Sequence, residues 1–236
     1  MAISVQQFCA AYPTLYHMAE VNSWPSIVRH GLLSATALLD LFEVTGGQRS
    51  LIESTRRANS VALRHPVYGN AVLRDQKPLR ESVLRRLLLD CTTTEWLRFL
   101  NRKVFFWTTE ERVSRLLNAR AFRGSEHIVI SVDARSMLRT NEGRVLLSPI
   151  NSGSTLFGKV SRGLFMFQPL ATYPSALRKE GKDKKDSIAE VIVDYAIPHV
   201  LHVVFKVERR KQNAILETLS LVHRVAALRL KELPDF

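Results

Sequence analysis

The chain has 236 residues, 46% of them hydrophobic, which allows one large or two small domains with a core that needs no covalent staples. Its two cysteines, Cys9 and Cys91, are too few for a disulfide framework or a cysteine-based zinc site, and Arg, Lys, His or Glu interrupts every apolar run well short of a bilayer's thickness. Lys+Arg 34 against Asp+Glu 22 leaves a net charge of +12, which favours a polyanionic partner over a charge that serves solubility alone.

Met1 to Ala10 carries neither a basic leader nor a long apolar stretch, so no secretory signal is expected and a reducing cytoplasm suits the chain. Thr14 to Ala19 alternates as a strand, with Leu15, His17 and Ala19 on one face and Tyr16 and Met18 on the other. Asn22 or Ser23 can cap the next helix, Pro25 fits its first turn, and Gly31 closes it. A histidine is thereby held on a strand end braced by a helix. A lone strand histidine is more often a core residue satisfied by a carbonyl, so His17 needs a second residue to mean more.

Ser34 caps a short helix to about Phe42, broken by Gly46-Gly47; residues 48 to 70 read as a helix and then a loop punctuated by Pro66 and Gly69. Arg74, beside Asp75, is either half of a local ion pair or a guanidinium reaching into a cleft to hold a phosphate or carboxylate. Residues 79–90 and 94–101 read as amphipathic helices, the second capped by Thr94 with Trp96, Leu97 and Leu100 inward. Lys103 to Thr109 is a strand covered on both faces, and Thr109-Glu110-Glu111 opens a further helix. Trp107 and Thr108 stand at that strand's exit, where an aromatic fills core or walls a flat ring.

Further strands are expected at 127–133, 143–148, 163–170 and 200–208, and an amphipathic helix at 211–231. Asn151 to Thr155 is a hydroxyl-rich turn able to offer N–H and O–H groups to a phosphate, although a surface turn has the same composition. Arg178 to Asp186 sets five basic residues against three acidic ones around Gly181, the composition of a solvated loop. The following SIAEVIVDYAIP alternates, with Ile188, Glu190 and Ile192 on one face. A carboxylate at such a position either pairs with a structural arginine or lies in a functional cleft.

The seven histidines show no ligand spacing, and nucleophile-elbow, phosphate-loop and dinucleotide fingerprints are absent from the sequence, so no metal is expected. What remains is an early strand histidine, a central aromatic-threonine strand exit and a late strand glutamate behind a basic loop. On LYHMAEVNSWPSIVRHGLLS, KVFFWTT and AEVIVDYAIP the chain resembles the ADP-ribosyltransferases, and among them the DarT-like enzymes that modify nucleic acid.

The resemblance implies a single α+β domain over 1–236 with a split, mostly antiparallel sheet. It implies NAD⁺ as co-substrate, a nucleic acid acceptor with DNA favoured, and a toxin-like role with a neutralising antitoxin partner. Glu190 is implied to be catalytic, with Arg74 beside it, and His17 to bind a ribose of NAD⁺. Tyr16, Trp107 or Phe157 would stack on nicotinamide, Ala19 and Thr108 would line its pocket, and Asn151 and Ser154 would hold the pyrophosphate. Lys179, Lys182, Lys184 and Lys185 would meet the acceptor. Ala19 departs from the family, where Thr or Ser is common. The alternatives are a non-catalytic basic nucleic-acid-binding module, transfer to protein side chains, and a relative of the tRNA 2′-phosphotransferases, for which paired arginines are not evident.

Overall fold

A computed structural model describes residues 3–156, 160–173 and 188–219. Helix α1 (Val5–Ala11) leads into β1 (Thr14–Glu20), followed by α2 (Trp24–His30), β2 (Leu32–Leu33) and α3 (Ala35–Leu41). Next come α4 (Gly46–Ser54), the hairpin β3 (Val61–His65) and β4 (Gly69–Leu73), α5 (Glu81–Leu87), α6 (Thr93–Asn101), β5 (Lys103–Trp107) and α7 (Glu110–Asn118). The remainder is β6 (Glu126–Asp133), α8 (Ala134–Thr140), β7 (Val145–Ser148), β8 (Gln168–Pro169), β9 (Glu190–Asp194), β10 (Ala196–Ile197), β11 (Val204–Lys211) and β12 (Ala214–Thr218).

The large sheet runs β12-β11-β6-β1-β5-β9-β7-β8, with every neighbouring pair antiparallel, so the fold is the expected α+β with a large antiparallel sheet. Its pairing is uneven. Strand β1 matches β6 along its whole length, from Thr14↔Asp133 to Glu20↔His127, but meets β5 only at Tyr16↔Trp107. Beyond that pair the strands part, and the sheet is split there.

One face carries the larger core, where Leu15, Phe106, Ile130 and Val191 meet Phe8 of α1, Ile27 of α2 and Met137 of α8. The other face has separate clusters. Met18 and Val129 lie under Val113 and Leu117 of α7, whereas Ile192 and Phe105 lie under Leu84 of α5 and Trp96 and Leu97 of α6. A further cluster joins Leu39 and Ile52 to Leu63 and Leu73 of the β3–β4 hairpin. A cleft lies among these clusters, over the split.

The caps show why several helices start where they do. The Ser34 hydroxyl accepts from Ala37 N–H, and Thr109 accepts from Arg112 N–H. Helix α6 begins earlier than expected because Thr92, not Thr94, forms the capping box with Glu95. Residues 61–73, expected in part as a loop, form a hairpin: Pro66 lies in its turn, and Gly69 takes the φ of 78° with which β4 begins. Gly47, expected to break a helix, lies inside α4.

Two strand expectations shorten. Residues 164–166 are a 3₁₀ turn that leaves only Gln168–Pro169 as β8, and 200–202 form another before β11. The helix expected from 211 is instead the end of β11, a turn at 212–213 and the edge strand Ala214–Thr218; residues 220–231 lie outside the described residues. Among the described residues no helix is long and apolar enough to cross a membrane.

Gly31 is a tight junction of backbone against backbone. It ends α2 at φ 86°, where the chain crosses β10, and an added Cβ would stand 2.6 Å from the Ile197 carbonyl oxygen and 2.7 Å from Pro198 Cα. Backbone on both sides leaves no flexible atom to yield. Gly31→Ala is therefore expected to cost about 3 kcal/mol or more, seen as a lower urea midpoint at unchanged slope. A midpoint equal to wild type would show that this crossing relaxes freely.

Candidate active site

The site begins with a row across the sheet. Tyr16 of β1 stands opposite Trp107 of β5, Trp107 opposite Glu190 of β9, and Glu190 opposite Ser148 of β7. Directly paired residues share a face, so Glu190 and Trp107 project on the side of α5, α6 and α7. His17 follows Tyr16 and starts from the opposite face. It reaches the cleft because the sheet is open beside it: His17 and Glu190 both line one cavity of about 550 Å³.

His17 closes the gap that the strands leave. Its Nδ1 lies 2.8 Å from the Phe105 carbonyl oxygen of β5, and a carbonyl only accepts, so Nδ1 carries the proton. A side-chain bond thus stands where a ladder bond would have been. The ring also leans on Phe106, with centroids 5.7 Å apart. Burial, together with the charge of Arg74, holds the imidazole's pKa down at about 4 against the pull of the Phe105 bond. At neutral pH the ring is uncharged, and its Nε2 is an acceptor.

Glu190 is 3% exposed. The Ser152 backbone N–H donates to both carboxylate oxygens, at 3.2 and 3.1 Å. Burial pushes its pKa up to about 7, while Ser152 and the charges of Arg112 and Arg162 oppose the rise. The loop carrying Ser152 is tied down on both sides. The Ser148 hydroxyl accepts from Ile150 N–H, Arg162 Nη1 donates to the Ser154 carbonyl at 2.8 Å, and Thr155 N–H donates to the Pro78 carbonyl at 3.0 Å. Arg162 is itself 4% exposed, so its charge acts on Glu190 through little solvent.

Arg74 lines the same cleft, as the guanidinium reading required. It donates to the Met18 carbonyl at 2.9 Å, lies 3.6 Å from Glu20 and stacks over Phe122 at 4.9 Å; Asp75 pairs with Lys77 instead. Behind it Arg57 donates to the Arg74 carbonyl at 3.0 Å and to Asn101 at 2.6 Å, and burial lowers its pKa to about 10. Both guanidiniums are buried more deeply than a solvated face would make them.

Other expected residues divide. Ala19, Trp107, Asn151 and Ser154 line the cleft, Trp107 also packing against the α7 cluster, so it serves as both core and wall. Tyr16 and Thr108 do not line it. Tyr16 packs against the α7 cluster with its hydroxyl on Glu110, and the Thr108 hydroxyl donates to the Ile188 carbonyl at 2.6 Å. Ile188, expected beside Glu190, instead joins the larger core because β9 starts only at Glu190. Phe157, Lys179, Lys182, Lys184 and Lys185 lie outside the described residues.

Sequence reading missed Ser152, Arg112, Arg162 and Arg57. Ser152 stood within a turn already suspected of binding, whereas nothing local marks Arg162 or Arg57, which matter through distant partners. Among the described residues no His, Cys, Asp and Glu side chains gather into a metal-binding group.

A neutral imidazole acceptor, a buried carboxyl titrating near neutrality and inward guanidiniums can hold a hydroxyl-bearing anionic ligand and stabilise positive charge forming beside Glu190. Fold and site together define an α+β protein whose split antiparallel sheet forms a polar-tipped cleft. The chain belongs to a family of unknown function, DUF7002, whose sequence profile matches residues 13–204. That stretch contains every residue lining the cleft. No curated protein matches the chain.

The raised pKa of Glu190 has a stability consequence. Its folded value, about 7, lies above the ordinary 4.5, so folding is favoured below about 4.5 and that advantage is lost as pH rises through about 7. The carboxylate costs roughly 3 kcal/mol once ionised. Glu190→Gln is expected to unfold at higher temperature than wild type at pH 8.5, with the difference vanishing near pH 4.5. An equal difference at both values would mean that the carboxyl is not desolvated.

Proposed function

We propose that the protein is a mono-ADP-ribosyltransferase that uses NAD⁺ to modify a nucleic acid acceptor. The observation that carries this reading is the delivery of His17 and Glu190 into one cleft from opposite faces of a split sheet. In this reading His17 Nε2 accepts from a ribose hydroxyl, and the guanidinium of Arg74 faces the pyrophosphate. Trp107 lies against the nicotinamide ring.

The chemistry needs little from the protein beyond placement and charge. The bond from ribose C1′ to nicotinamide nitrogen breaks, and its electron pair leaves with nicotinamide as a neutral molecule. The acceptor's lone pair forms the new bond to C1′, and the acceptor's proton passes to the Glu190 carboxylate. In the transition state C1′ carries positive charge, which that carboxylate stabilises in a site poor in water. The reading makes this a toxin-like activity with a neutralising partner protein in the cytoplasm.

Purified protein given labelled NAD⁺ and DNA or RNA oligonucleotides is expected to transfer label, with Glu190→Gln lowering transfer by at least about 100-fold. Undiminished transfer by that folded variant would overturn the assignment. Label on protein but never on oligonucleotide would move the acceptor to a protein side chain.

The pH profile is a separate check. Because the carboxylate is the working form, kcat/KM should climb about tenfold per unit below pH 7 and level off above it. The limb in kcat should lie lower, since cationic nicotinamide in the complex favours the ionised acid. A kcat/KM that falls with rising pH through this range would exclude Glu190 as the base.

A further inference from the structure

Arg162 stands outside the cleft lining but holds the turn that belongs to it. Its backbone is clamped to the end of α5: Arg162 N–H donates to the Leu87 carbonyl at 2.8 Å, and Leu89 N–H donates to the Arg162 carbonyl at 3.0 Å. Beside it the Asp90 carboxylate accepts from the Leu164 and Phe165 N–H groups at 2.9 and 3.1 Å, and it packs so closely on Gly163 that a Cβ there would collide with it. From this fixed backbone the side chain reaches Ser154, Nη1 donating to the carbonyl at 2.8 Å. Two residues earlier in the same turn, the Ser152 N–H donates to both oxygens of Glu190. A chain of bonds thus runs from α5 through Arg162 and the turn to the carboxylate.

Stability alone would not favour such an arrangement. Arg162 is 4% exposed, and its Nε meets no hydrogen-bond partner among the described residues. Arg210, equally buried, is instead paired with two carboxylates, those of Glu208 and Glu110. The charge that opposes the desolvation of Arg162 is that of Glu190, and Arg162 favours the ionised acid in return. Glu190 shares its cavity with further charged and titratable groups: Arg112 and Arg115 of α7, His17 and Glu20 of β1, Arg74 and Asp75 after β4, Arg57, and Lys103 of β5, which is paired with Asp194. Arg162 differs from them in holding the 151–155 turn itself.

We propose that Arg162 is a positioning residue for Glu190: its hydrogen bond to Ser154 fixes the turn whose amide holds the carboxylate, and its buried charge favours the ionised acid. The part that Glu190 plays in transfer rests on the transferase reading above. Its placement and ionisation do not, so they can be measured without NAD⁺.

The first measurement is thermal unfolding of the full chain between pH 4.5 and 8.5, comparing Glu190 with Glu190→Gln in wild-type, Arg162→Gln and Arg162→Lys backgrounds. In the wild-type background the difference in Tm should grow with pH and level off above about pH 7. With Arg162→Gln it should keep growing to about pH 8 and end larger, because the acid has lost a cation that favours its charged form. With Arg162→Lys, which keeps the cation, it should level off near about pH 7 again.

The second measurement is label transfer. Arg162→Gln should carry the acid limb of kcat/KM to about pH 8, whereas Arg162→Lys should leave the limb in place and lower the plateau kcat at least about fivefold, since an ammonium cannot reproduce the planar donor that fixes the turn. A residue that only braced the fold would lower Tm while both curves still levelled at the wild-type pH, and that result in Arg162→Gln would overturn the proposal. If Arg162→Gln does not fold, Arg162→Lys decides: a wild-type plateau kcat would overturn the positioning role, and a lowered plateau with an unmoved limb would support it. Absence of transfer by wild type would remove the transferase reading and leave the unfolding curves to judge Arg162. Transfer with wild-type limbs and plateaus in both variants would keep that reading and defeat this one.

Discussion

The bond from His17 Nδ1–H to the Phe105 carbonyl stands at the centre of this structure. Antiparallel strands that part midway leave donors and acceptors facing an apolar interior, which is costly unless something replaces the missing ladder. An imidazole can do so at one nitrogen and still present the other to a ligand. The split is consequently stabilised by the residue it exposes, and the cleft is part of the sheet rather than an addition to its surface.

Glu190 has the opposite character. It contributes a buried carboxyl that the fold would be more stable without above neutral pH, held by the Ser152 N–H and by the charges of Arg112 and Arg162. Under the proposed function this cost is what places a carboxylate beside the reacting sugar, a residue that packing alone would not choose. Arg162 shows how the cost is contained. Its hydrogen bond to Ser154 fixes the loop whose amide meets Glu190, so position and charge come from one side chain.

Other buried charges follow different logic. Arg210 lies between Glu208 and Glu110, joining β11 to α7 and, through Glu110, to Tyr16. There each ion has its partner and the ensemble is structural. The guanidiniums of Arg57 and Arg74 bond mainly to carbonyl oxygens and an amide, and Arg74 lies 3.6 Å from Glu20, so carboxylates hold them less tightly than they hold Arg210. This contrast separates framework from site.

The sequence alone determined the local elements that depend on nearby residues: the alternation of β1 and β9, the caps at Ser34 and Thr109, the glycine end of α2, and the inward Trp96, Leu97 and Leu100. It also marked His17 and Glu190, since a histidine or an acid in an apolar alternation stands out against its neighbours. The β3–β4 hairpin and the edge strand β12 pair with the strand beside them in the chain, so what the sequence reading missed there was turn chemistry, whereas the short β8 is set by its pairing with β7. Tertiary structure likewise removed Tyr16 and Thr108 from the site and added Ser152, Arg57, Arg112 and Arg162. Alternation gives a residue its face, but only the parting of β1 from β5 lets residues of opposite faces share a cavity, and strand separation is a property of the whole sheet.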